Sequence, residues 1–144
     1  MDIKVIARYI LAVLAGVLAG YIINMGLIQA SGSIIPPPEG ADMTTVEGIN
    51  AALPLLQPIH FLIPFLAHAL GTLVGACVAA AIAPNHKMRV AFGMGFWFLL
   101  GGIAASTMIP APTWFIIVDL VLAYIPMAII GGKIGSSFGM SNRP

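Results

Sequence analysis

The sequence predicts an all-α, polytopic membrane protein: four transmembrane helices in a tight bundle, with a short amphipathic helix in the first outer loop. Three observations predict it. First, 60% of the 144 residues are hydrophobic and only 8% are charged, with a mean hydropathy of +1.03. A soluble domain carries about 25% charged residues, so a compact fold of this composition could not cover its surface with well-solvated groups. The same figures exclude disorder, which needs low hydrophobicity and high charge. Second, four stretches reach the about 20 mostly apolar residues that a membrane crossing requires. Third, all the basic residues fall on one side of the resulting four-span arrangement. The length fits a single membrane domain over residues 1–144.

The first span runs from about Val5 to Ile28. Lys4 and Arg8 precede it, and Ile28-Gln29-Ala30 loosely resembles a cleavage site, so a signal peptide comes to mind. The segment is read instead as a retained helix, or at most an uncleaved anchor. The second span covers about Ile59 to Ala83, the third Val90 to Ile109 and the fourth Trp114 to Ile134. Prolines punctuate their ends, with Pro58 and Pro84 around the second span and Pro110 and Pro112 between the third and fourth.

The outer loop, about Gln29 to Gln57, opens with Gly32 and the run Pro36-Pro37-Pro38, which favours stiff polyproline geometry. Thr44-Thr45-Val46-Glu47 then reads as a capping box with Thr44 at the N-cap. Val46, Ile49, Ala52 and Leu53 recur at helical spacing, so a short amphipathic helix on the outer membrane surface is expected.

Orientation follows from the basic residues. Lys4 and Arg8 precede span one, Lys87 and Arg89 separate spans two and three, and Lys133 and Arg143 close span four. The opposite loops carry Glu39, Asp42 and Glu47. Both termini are therefore expected in the cytoplasm. A net charge of +1 offers no basic field to hold nucleic acid. The single cysteine, Cys77, excludes an internal disulfide and any multi-cysteine metal site, and reads as a small buried residue.

Small residues recur four apart in every span: Ala12, Gly16 and Gly20; Ala67, Gly71, Gly75 and Ala79; Ala91, Gly95, Gly102 and Ser106; Ala128 and Gly132, beside Gly131, Gly135 and Gly139. Such rows stay on one helix face and let backbones approach closely, so Gly16, Gly20, Gly71, Gly75, Gly95, Gly102, Gly131 and Gly135 are the expected packing positions. Leu66-Ala67-His68 and Val74-Gly75 also align with Leu122-Ala123-Tyr124 and Ile130-Gly131 at one offset, which suggests a 2+2 parallel repeat.

Ionisable groups inside a membrane are costly, so each needs a reason. Counting along the helices puts Asp119 roughly 8 Å below Trp114, His68 roughly 12 Å below His60, and Asn24 about 6 Å from the outer end of span one. Ser106 and Thr107 lie near the outer end of span three. The candidate ligand-binding residues are therefore His68, Asp119, Asn24, His60, Ser106, Thr107 and Tyr124, all in the outer half of the bilayer. Asp119 lies about 140° around a regular helix from Tyr124, so either Pro126 bends span four or Asp119 faces a neighbouring subunit. One His and one Asp make no triad with an obvious nucleophile, and no catalytic residue, metal or cofactor is expected. The inner half carries almost no polar side chains, which argues against a conventional ion channel or proton-coupled transporter.

The run His60-Phe-Leu-Ile-Pro-Phe-Leu-Ala-His-Ala-Leu-Gly-Thr-Leu-Val-Gly-Ala76, with Pro36-Pro-Pro-Glu-Gly40 and Leu122-Ala-Tyr-Ile-Pro-Met127, resembles small four-span proteins of bacterial inner membranes. The resemblance covers most of the chain, implies an inner-membrane location and carries no active site. Small multidrug exporters place a Glu in their first span; this first span has no acid. The expected function is a non-enzymatic membrane protein, either a self-associating homo-oligomer or a subunit of a larger membrane complex, with the lipid bilayer as its surroundings. The alternative is binding or transport of a small or lipidic ligand through an outward-facing polar pocket.

Overall fold

The computed structural model describes residues 2–138, so Gly139 and Arg143 lie outside the described residues. Among the described residues there is no strand, and four helical segments are long and apolar enough to cross a membrane. α1 spans Ile3–Ile34, α3 Leu62–Ile82 behind a 3-10 turn at Pro58–Phe61, and α4 Lys87–Met108. The fourth segment is broken into α5, Thr113–Leu122, and α6, Ile125–Phe138, while α2, Val46–Ala52, occupies the loop between α1 and α3.

Two expectations about the loop need correcting. α1 continues through Gln29–Ser33 rather than ending at Ile28. Nothing in that stretch breaks a helix until Pro36, whose ring drives Ile35 out of the helical region to φ −128°, ψ 94°. The cap of α2 is Thr45, not Thr44: its hydroxyl accepts from the Gly48 N–H at 3.0 Å. Thr44 is held one residue earlier, where its N–H and hydroxyl both donate to Asp42, at 2.8 and 2.6 Å. These bonds, the Thr44 hydroxyl first, hold the Asp42 carboxyl below its ordinary value of 3.8.

α3 is the central helix, touching α1, α4 and α6, whereas α1 and α4 barely meet. Its two long contacts use opposite faces. A Cβ on Gly75 would lie 2.8 Å from the Gly16 carbonyl oxygen, and one on Gly71 would lie 2.9 Å from that of Gly20. On the far side, Gly131 and Gly135 of α6 press on the α3 backbone at Leu73 and Cys77. Positions two apart differ by about 200° around a helix, so α1 and α6 flank α3. Gly95 of α4 meets Ala128, and Gly102 meets the Tyr124 ring. Phe98 of α4 reaches the gap beside Gly20 and Gly75.

The interior is correspondingly made of small groups. Ala12, Ala67, Ala76, Ala79, Ala80, Ala91, Ala123 and Ala128 are wholly buried, while Leu14, Leu18, Ile22, Trp97 and Val121 stand exposed. At one end, Arg8 Nε donates to the Ile82 carbonyl at 2.8 Å and the Tyr9 hydroxyl donates to the Asn85 carbonyl at 3.1 Å. At the other end, Asn50 Nδ2 donates to the Met108 carbonyl at 3.2 Å, fastening α2 to the end of α4.

Candidate functional site

The fourth helical segment breaks at Ala123–Tyr124. Pro126 supplies no N–H for the Leu122 carbonyl, and its ring crowds that turn, so a continuous helix is disfavoured there. The break resolves the direction of Asp119. Phe115 and Asp119, four residues apart, are the buried positions of α5, and Tyr124 swings back toward them. The Tyr124 hydroxyl donates to Asp119 Oδ2 at 2.9 Å, across a separation that would point the two side chains apart in a regular helix.

His68 completes the cluster from α3. Its Nδ1 lies 2.8 Å from Asp119 Oδ1, and its ring stacks on that of Tyr124 at 5.9 Å between centroids. Asp119 is almost wholly buried and His68 about a quarter exposed, with side-chain exposures of 7% and 23%. With Asp119 ionised, both neighbours donate to it, one oxygen each. His68 Nδ1 then carries the proton and Nε2 is left for a further partner.

Above the cluster is a cavity of about 240 Å³. Its walls are mostly apolar (Phe61, Pro64, Phe115, Leu120), with Ser31, His60, Ser106, His68 and Asp119 as the polar exceptions. Ile49, Leu53 and Leu56, on and just after α2, contribute to its lining. Phe61 is braced by Trp114 and Phe115, at 5.7 and 4.8 Å between ring centroids. His60 Nδ1 accepts the Gln57 N–H at 2.9 Å, while Nε2 lies 3.2 Å from the Pro36 carbonyl, so this imidazole pins the polyproline segment to the start of α3.

A second cavity, about 230 Å³, is lined by Tyr21, Asn24, His68, Thr72, Phe98 and Tyr124, and shares His68, Gly102 and Ala105 with the first. Of the residues singled out from sequence, His68, Asp119 and Tyr124 therefore meet directly, and His60 and Ser106 line the first cavity. Asn24 belongs to the second. Thr107 lines neither; its hydroxyl is turned back onto the Ala104 carbonyl at 2.7 Å. Among the described residues no three His, Cys, Asp or Glu side chains gather into a metal-binding group.

Sequence reasoning passed over Thr72. Its side chain is fully buried, and its hydroxyl has no hydrogen-bond partner among the described residues. The available signal was a hydroxyl beside Gly71 in an otherwise apolar run.

Comparison with protein-family models, with curated proteins and with solved structures returns no match.

Proposed function

We propose that the chain is an integral protein of a bacterial inner membrane, with both termini cytoplasmic, and that its first cavity opens outward and binds a small, largely apolar ligand carrying one hydrogen-bonding group. One observation carries this reading: a cavity of about 240 Å³ with apolar walls ends on a buried carboxylate whose two oxygens are held by His68 and Tyr124. Small-molecule sites combine mostly apolar walls with a few placed polar groups in this way.

The arrangement of charge and bulk supports the membrane reading. Large apolar side chains face outward around a core of Ala and Gly, the reverse of what water favours, and the close glycine contacts suit helices that associate in lipid by backbone approach. At about 1.5 Å per residue α1 is about 48 Å long, well beyond the about 30 Å hydrocarbon core. Its last turns, including the cavity-lining Ile28 and Ser31, then stand in the outer interface and wall a vestibule. Binding is proposed rather than a reaction because His68 contacts an acid but no Ser, Thr or Cys nucleophile among the described residues.

The test is access. In a Cys77→Ser background, a membrane-impermeant maleimide applied from outside should label Ser106→Cys, and filling the cavity with Ile116→Trp should suppress that labelling. Labelling only after permeabilisation would overturn the outward-facing pocket.

A second reading is self-association, or service as a subunit of a larger membrane complex. It is favoured by the outer face of α4, where Gly93 has open space beside exposed Phe92, Phe96 and Trp97. Native mass spectrometry in mild detergent tests it, and a strictly monomeric species with no co-purifying partner counts against it.

A further inference from the structure

We propose that the second cavity is a lateral site for a membrane lipid with an uncharged hydroxyl headgroup, entered between α1 and α4, with the head held by Thr72, Asn24 and His68. The inference rests on reading the helices as membrane spans, but not on any ligand in the outward cavity.

Gly71, at the cavity wall, is the tenth of the 21 residues of α3 and packs on Gly20 of α1, so the site lies near half-height. Its rim residues Tyr21 and Gly101 are exposed, and their neighbours Leu18, Ile22, Trp97 and Leu100 form an exposed apolar belt. α1 and α4 scarcely touch. A mouth at that height opens onto hydrocarbon, and only a lipid-soluble molecule reaches it.

The lining then selects the head. The Thr72 hydroxyl is fully buried without a partner among the described residues. Native structures rarely leave such a group unsatisfied, because its desolvation is uncompensated. Asn24 lines the same cavity. A hydroxyl and a carboxamide each donate and accept, which matches a headgroup that does both. His68, which lines both cavities, adds a third polar side chain. Charge is disfavoured. Among the described residues the lining holds no Lys or Arg, and His68 is already bonded to Asp119, so nothing there balances a phosphate at a depth where a bare charge is costly.

Photolabelling of the full-length protein in phosphatidylethanolamine–phosphatidylglycerol vesicles tests the site, with a diazirine-bearing diacylglycerol compared against a diazirine-bearing phosphatidylcholine. The diacylglycerol probe should crosslink to α1 and α4 and be displaced by unlabelled diacylglycerol. Thr72→Val should lower that labelling by about fivefold, the worth of one neutral hydrogen bond. Its melting temperature should be unchanged or higher, since the hydroxyl has no partner to lose. Gly101→Leu should block labelling by filling the mouth; a Cβ there meets nothing within 4 Å, so the backbone need not move. Labelling indifferent to both variants overturns the site, as does equal labelling by the phosphatidylcholine probe. Co-flotation with the vesicles is scored on the same sample. Flotation without displaceable labelling overturns this site alone, whereas failure to float overturns the membrane reading with it.

Discussion

Asp119 holds two donors on one carboxylate, and at residue scale that makes it the group most costly to disturb. Removing one partner of a hydrogen bond to a buried carboxylate typically costs about 1.5–3 kcal/mol. Asp119→Asn and His68→Ala should each lower thermal stability in detergent, and the double variant should cost clearly less than their sum. Additive losses in that cycle would show that the two side chains do not interact. Tyr124→Phe removes only the bond to Oδ2 and should cost about 1.5–3 kcal/mol, as for a hydrogen bond to a charged group. Asp42 supplies a pH dependence of known sign. Its carboxyl is held below 3.8 by Thr44 and Thr45, so its contribution to the order of the outer loop is fully present above that value and lost as pH falls through the lower folded value. The protection factor of the Thr44 amide, its exchange rate relative to the intrinsic rate at the same pH, should fall below pH 3.8 and lose that pH dependence in Asp42→Asn; an unchanged protection profile in the parent would contradict the assignment. His68 and Asp119 were legible in the sequence because a charge in an apolar run demands a reason. Thr72 was not, because a helical Thr ordinarily satisfies itself on its own backbone, and only three-dimensional packing reveals that this one does not.

Along the helices, glycine divides into two kinds according to what a Cβ would meet. Gly16, Gly20, Gly71, Gly75, Gly131 and Gly135 each have a neighbouring backbone where a Cβ would go, whereas Gly26 and Gly93 face open space. Gly16→Ala should therefore destabilise, by about 1–3 kcal/mol as for an overpacked site. Gly26→Ala and Gly93→Ala should be neutral or stabilise by up to about 1 kcal/mol through helix propensity. Melting temperatures of the three variants in one detergent check the contrast, and equal losses in all three would refute it. The four apolar segments were readable from hydropathy to within a few residues, except where α1 overran its expected end. Their length and composition alone carry that signal. The break in the fourth was only half readable. Helical periodicity gives a side chain's direction inside an unbroken helix, so Pro126 left two directions open for Asp119 until the turn at Ala123–Tyr124 chose one.

Over the whole molecule, charge and hydrogen bonding sort the two ends of the bundle. Arg8 and Tyr9 tie α1 to the turn before α4, the end that also carries Lys87 and Arg89 and receives the last turns of α6 with Lys133. The polyproline segment, α2 and the acids Glu39, Asp42 and Glu47 occupy the other end, joined to the helices through His60 and Asn50. Short loops rich in Lys and Arg stay cytoplasmic because moving them across the membrane is disfavoured, so the basic end should face inward and the cavity of His60 and His68 outward. Both reporter positions are exposed, Glu39 before α2 and Asn85 between α3 and α4. The Tyr9 bond to Asn85 uses its backbone carbonyl, so a side-chain change leaves it intact. In a Cys77→Ser background and in intact spheroplasts, an impermeant maleimide should label Glu39→Cys at once and Asn85→Cys only after permeabilisation. The reverse pattern would invert the molecule and turn the first cavity toward the cytoplasm. Labelling of both sites in intact spheroplasts would break the four-span topology itself, because an even number of crossings between those two positions is what would bring them to one side.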